Sequence, residues 1–259
     1  MSTEVTRLEA VLRRDRVVVV AGLAAVTLVA WAYLFYIGRQ MGAMSMAHEM
    51  AVPQIQRWGA VELLLLLVMW AVMMVAMMVP AATPLVLIFA RANRLKGGRR
   101  VVGSAAILLL GYLLVWVGFS AVATLAQWAL HSAALLSPMM VTASPLLGGI
   151  VLVAAGIFQF TSLKHACLLR CRSPLSFLMS DWREGRWGTL VMGLKHGTYC
   201  VGCCWMLMSL LFVAGVMNLL WVAAIAFLVL VEKVAPGGDL IGRIAGAALL
   251  GAGIALIVR

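Results

Sequence analysis

"GAVELLLLLVMWAVMMVAMMVPAATPLVLIFA", Gly59 to Ala90, carries a single charged side chain, Glu62. A helix of roughly thirty residues is about 45 Å long. That exceeds the ~30 Å of hydrocarbon in a bilayer, so such a segment must tilt, kink or protrude. Pro80 and Pro84 predict a kink or break near its end.

The rest of the chain repeats this pattern. Of 259 residues, 64% are hydrophobic and 11% charged, and the mean hydropathy is +1.07. Soluble domains sit near 45–50% apolar and about 25% charged, so the composition is that of an integral membrane protein. The apolar runs lack the alternation of membrane β-strands, and backbone groups in lipid are then satisfied only by helices. The expected fold is an all-α polytopic bundle of about seven transmembrane helices. The expected spans lie at about 17–37, 59–90, 101–130, 145–163, 188–216, 218–232 and 240–258. No repeat or second domain interrupts them, so residues 1–259 read as one transmembrane domain. The first apolar stretch exceeds a typical signal-peptide core and no small-x-small site follows, so no removable leader is expected.

The net charge of +11 belongs to the loops rather than to a nucleic-acid patch. Arg7, Arg13, Arg14 and Arg16 precede the first span; Arg91, Arg94, Lys96, Arg99 and Arg100 follow the second. Lys164, Arg170, Arg172, Arg183 and Arg186 follow the fourth, whereas the alternate loops hold only Arg39 and Arg57. Basic loops stay inside, which predicts a cytoplasmic N-terminus and, after seven crossings, an external C-terminus.

The chemistry gathers in "HGTYCVGCCW", His196 to Trp205. On a helix, His196, Cys200, Cys203 and Cys204 fall within a sector of about 100°, one face of the fifth span. Cys200 lies about 18 Å from the start of that span, near mid-membrane. Ionisable side chains at that depth mark a functional site, although buried cysteines also serve as small hydrophobes. A second group, "LKHACLLRCRSP", places Cys167 and Cys171 four apart at the cytoplasmic end of the fourth span, where they read as an entry or second site. His165 points away from them and reads as interfacial. Five cysteines crowded into Cys167–Cys204 argue against a structural disulfide framework.

Methionines extend the pattern. Met69, Met73 and Met77 form a helical stripe, and thioethers are soft ligands that suit Cu(I). Methionine is also an ordinary core filler. In "MGAMSMAHEM" the residues Met41, Met44, Met46, His48 and Met50 occupy an outer loop that is too polar and glycine-broken to be a span. Such a tract suits copper capture in an oxidising compartment, its rival being an amphipathic interfacial segment. His131, Met139 and Met140 are a weaker echo on the next outer loop. Glu232 beside Lys233 reads as an interfacial charge pair.

The strings "WAVMMVAMMVPAATP", "LKHACLLRCRSP", "WREGRWGTLVMGLKHGTYCVGCCWMLM" and "GVMNLLWVAAIAFLVLVEK" resemble those of an uncharacterised bacterial family of predicted metal-binding integral membrane proteins. The resemblance covers most of Trp70 to Lys233. It implies a multi-pass protein of the bacterial inner membrane and a metal-binding role, but neither an ion nor a reaction.

Several functions compete. The first is transport or delivery of a soft metal, Cu(I) before zinc, with few acids available for harder ions. Its path runs from Met44, Met46 and His48, past Met73 and Met77, to His196, Cys200, Cys203 and Cys204, and then to Cys167 and Cys171. The bilayer surrounds such a protein, and a metal-accepting protein or another membrane subunit would take the ion. Zinc is the rival at His196, Cys200, Cys203 and Cys204, which offer four tetrahedral ligands if the helix breaks at its glycines, or with other spans supplying ligands. The second is a thiol–disulfide electron carrier using Cys200 and Cys203, with Cys167 and Cys171 as exchange partners. A subunit of a metal-dependent membrane oxidoreductase and a purely structural subunit complete the set.

Overall fold

The computed structural model describes residues 2–48, 59–98, 100–133, 144–216 and 218–258, with the side chains of residues 2–8 and 41–48 left aside. Every regular element among them is a helix. In chain order these are α1 (Ser2–His48), α2 (Ala60–Leu95), α3 (Val101–Ser132), α4 (Pro145–Phe158) and α5 (Ser162–Arg172). They continue with α6 (Pro174–Asp181), α7 (Gly185–Ser209), α8 (Leu211–Ala214), α9 (Leu219–Val234) and α10 (Gly238–Val258).

Each expected span contains a helix, but the count of seven crossings needs correcting. Among the described residues, five helical stretches are long and apolar enough to cross a bilayer: Glu9–Gln40, Ala60–Leu95, Val101–Ser132, Gly185–Ala214 and Gly238–Val258. The fourth run is broken. Thr161 ends α4 by donating to the Phe158 carbonyl (2.8 Å) and starts α5 by accepting from the Lys164 amide (3.3 Å). The two halves meet at a bend of 63°, and together they make a sixth crossing if the bent pair is one span. Helix α9 has 16 residues, about 24 Å of rise, which falls short of the hydrocarbon thickness. It stops at Ala235-Pro236-Gly237, where Gly237 takes a φ of 78° that side chains resist. The external C-terminus, which rested on seven crossings, loses its support as well.

Two further expectations change. Helix α2 runs unbroken through Pro80 and Pro84, which removes the expected break but not a kink. In lipid-soluble bundles neighbouring helices support such prolines, and here that stretch is largely buried. Helix α1 continues to His48, so the backbone of the Met41–His48 tract is helical rather than a glycine-broken loop.

Packing follows the small residues. Helices α1, α2, α3 and α7 form a row of neighbours, α10 pairs with α4, and α5 lies along α7. At the α3–α7 crossing, a Cβ on Gly193 would run into the Leu108 carbonyl, and one on Gly111 into that of Leu190. In lipid, where apolar burial gives helices little reason to associate, such backbone contact is what holds them. Polar ties add to it. The Trp70 indole donates to Gln127 (2.6 Å) between α2 and α3, and Arg94 pairs with Asp15 (2.6 Å) between α2 and α1. The core formed this way holds Trp70, Met73, Met77, Tyr112 and Trp116 together with Cys200, Cys203 and Cys204.

Candidate metal centre

Helical spacing turns His196, Cys200, Cys203 and Cys204 toward the protein interior, and all four are buried. The back of α7 is closed by α3, its flank by α5, and the C-terminal end of α9 reaches the same place. The bend after α4 is what brings α5 there. It lays Cys171 opposite Cys203, with their sulfurs 4.0 Å apart. Cys200 and Cys204 are buried in the same core as this pair. The two cysteine groups therefore meet at Cys171 and Cys203. Cys167 stays half-buried beside Gly202, where its sulfur would sit 2.8 Å from an added Cβ.

Each thiol has a defined contact. Cys203 and Cys204 donate to the Cys200 carbonyl at 3.1 and 2.9 Å, the back-bonding that a helix offers to residues three and four along. The Cys200 sulfur accepts from the Lys233 ammonium at 2.7 Å. It also lies 3.0 Å from the Tyr112 hydroxyl, which is 3.2 Å from the Met78 carbonyl. Lysine is a donor only, so the sulfur must be the acceptor in that contact.

Lys233 therefore does not pair with Glu232. The Glu232 carboxylate takes the Lys164 ammonium on both oxygens, at 2.9 and 2.8 Å. Lys164 also bonds Gln159. This ion pair, with side chains 3% and 2% exposed, ties α5 to α9 in the interior rather than at an interface. Adjacent residues of α9 thus serve different neighbours: Glu232 anchors α5, and Lys233 faces the thiols.

The remaining candidates divide. His196 stands between Tyr112 and Phe177, at ring distances of 6.0 and 5.1 Å, and its Nδ1 finds no hydrogen-bond partner. Among the described residues no three His, Cys, Asp or Glu side chains converge as a ready-made ligand set. Met73 and Met77 are buried in the same core as the cysteines. The side chains of Met44, Met46 and His48, and residues Met50, Met139 and Met140, lie outside the described part. His165 meets Asp239 at 3.2 Å and stays half-exposed. Lys195 pairs with Asp181 (2.6 Å). Glu62 accepts from the Gly59 amide (2.9 Å) and caps α2.

A family model described as "PpoB2: Copper chaperone" matches residues 67–256, nearly three quarters of the chain. The chain belongs to this copper chaperone family. No curated protein and no solved structure matches it. The matched segment contains all five cysteines, Met73, Met77, Tyr112 and Lys233, and it starts after the Met41–Met50 tract. A copper-related function follows from membership, and the donors gathered at α5 and α7 have the soft chemistry that copper prefers. Zinc gains no support, because it asks for four convergent ligands.

Lys233 and Tyr112 are the residues that sequence reasoning missed. Both are ionisable side chains in apolar runs, a signal that deserved weight at Tyr112. At Lys233 the adjacent acid supplied a misleading partner.

Proposed function

We propose that the chain is a multi-pass membrane protein that receives Cu(I) on the thiols of Cys171 and Cys203 and passes it to an acceptor protein. Cys200 completes the sulfur environment from one turn away, and Cys204 stands behind it. One observation carries the reading: two sulfurs from different helices face each other at 4.0 Å in the buried core of a copper chaperone family member. Cu(I) is content with two or three thiolates, and exchange between such sites proceeds by replacing one sulfur at a time. A site held by two helices opens when α5 shifts against α7, and the bend at Gln159–Thr161 is a natural place for that movement. The basic loops support a cytoplasmic N-terminus in the bacterial inner membrane. Met73 and Met77 add thioethers to the same buried core. The tract with Met44, Met46 and His48, outside the family match, is an accessory capture segment of this chain.

The same two sulfurs favour a second reading. A thiol–disulfide carrier would use Cys171 with Cys203, across helices, rather than the Cys200–Cys203 pair suggested by spacing. Elemental analysis of the detergent-solubilised protein after anaerobic Cu(I) loading separates the two. The copper reading expects about one copper per chain, lost in Cys171→Ser/Cys203→Ser. Copper content that is equally low in both proteins, with a disulfide accumulating in the wild type, supports the carrier instead.

A further inference from the structure

We propose that the cleft between the basic ends of α1 and α2 binds the headgroup of an anionic phospholipid. The inference rests on the membrane reading of the chain and is independent of the copper centre. The cleft has a volume of about 390 Å³. Arg13 and Arg16 of α1 and Arg91 of α2 bring three guanidinium groups to it, and Leu12, Leu87 and Ile88 give it an apolar lining. All three arginines are exposed, and among the described residues no carboxylate pairs with any of them. Asp15 also borders the cleft, but Arg94 takes both of its oxygens, at 2.6 and 3.0 Å. Glu9 is the other acid there, so three guanidiniums against one carboxylate leave an excess of two positive charges. Arginine keeps its charge throughout the physiological range, and its planar fork matches the oxygens of a phosphate.

The surroundings point to a lipid as the source of that phosphate. On α1 the face carrying Glu9, Arg13 and Arg16 continues one turn later into Val20, which is 40% exposed, with the exposed Val17 close by. On α2 the turn before Arg91 is Leu87 and Ile88. Charge therefore gives way to apolar surface in the direction of the bilayer on both walls. A headgroup held by the arginines leaves its acyl chains against these apolar side chains. The loop charges place this end in the cytoplasm, where the leaflet is anionic and basic pockets between spans hold such headgroups. A zwitterionic headgroup carries no net charge to offset the excess, and a soluble phosphate ester has no chains for the apolar lining.

The test uses the detergent-solubilised protein and native mass spectrometry, which counts bound lipid as phosphatidylglycerol or phosphatidylcholine is titrated in. The wild type retains about one phosphatidylglycerol per chain in preference to phosphatidylcholine. Each basic side chain at a membrane surface is worth roughly fivefold in affinity, so Arg13→Gln/Arg16→Gln/Arg91→Gln binds phosphatidylglycerol about a hundredfold more weakly. Arg100→Gln/Arg183→Gln/Arg186→Gln removes the same charge from exposed positions outside the cleft and keeps the affinity within a few-fold. If the first triple variant does not fold, Arg91→Gln alone shows a loss of about fivefold. An equal loss in the two triple variants overturns the site in favour of diffuse surface charge. A wild type that does not prefer phosphatidylglycerol overturns it outright. Displacement of the lipid by millimolar glycerol phosphate overturns the lipid as the source and puts a soluble phosphate ester in its place.

Discussion

Exchanging Lys164 for methionine leaves the Glu232 carboxylate buried without the cation that touches it. The two side chains are 3% and 2% exposed, both carboxylate oxygens are engaged, and an added Cβ on Gly242 would lie only 2.8 Å from Glu232 Oε1. Breaking a buried pair by removing one partner costs about 3–5 kcal/mol, whereas replacing both with apolar groups is often close to neutral. For a chain of this size that corresponds to a fall in Tm of about 10 °C in Lys164→Met. Most of the loss returns in the double variant Lys164→Met/Glu232→Met. Tryptophan fluorescence during heating in detergent reads both values, and the cycle of single and double variants isolates the coupling. Because the pair joins α5 to α9, the single variant also loosens Cys171 and Lys233 together, and copper retention falls with Tm. Additive losses across the cycle would refute the reasoning, since they would mean that the two groups do not depend on each other.

Other perturbations address separate contacts. Gly193→Ala pushes a Cβ into the Leu108 carbonyl, so α3 and α7 must separate, and a loss of about 3 kcal/mol is expected in thermal melts. Tyr112→Phe removes the hydroxyl between Met78 and Cys200; its expected cost is about 1–2 kcal/mol, with copper stoichiometry unchanged. Mild oxidation of the metal-free protein with a thiol oxidant should link Cys171 to Cys203, as mass spectrometry of the digested chain would reveal. A bond mapped to Cys200 and Cys203 instead would show that α7 deforms before the α5–α7 contact closes. Cys167→Ser should leave copper content intact, while Cys171→Ser lowers it.

The helical nature of the chain was readable because lipid leaves an apolar run few alternatives, and the segments from Gly59 to Ala90 and Val101 to Leu130 became α2 and α3 almost as expected. The number of crossings was less legible. Periodicity does not register that Thr161 bonds both ways and so turns an apolar run by 63°. The face carrying Cys200, Cys203 and Cys204 followed from 100° per residue alone, and those side chains are buried together. His196 shares that face, but two aromatic rings take it up, and angular position does not reveal what a ring packs against. The meeting of Cys171 with Cys203 depends on the α4–α5 bend, a tertiary feature with no local signature. The partner of Lys233 was hidden for a related reason: neighbours in sequence on a helix point about 100° apart, so Glu232 and Lys233 were never well placed to pair.

The central claim, Cu(I) on sulfur from two helices, is tested most directly by X-ray absorption at the copper edge. The sample is the protein loaded anaerobically with Cu(I), measured beside Cys171→Ser/Cys203→Ser. The account predicts a first shell of two or three sulfurs in the wild type, and loss of that shell in the double variant. Copper surrounded by nitrogen or oxygen, or the same sulfur shell in both proteins, would contradict it.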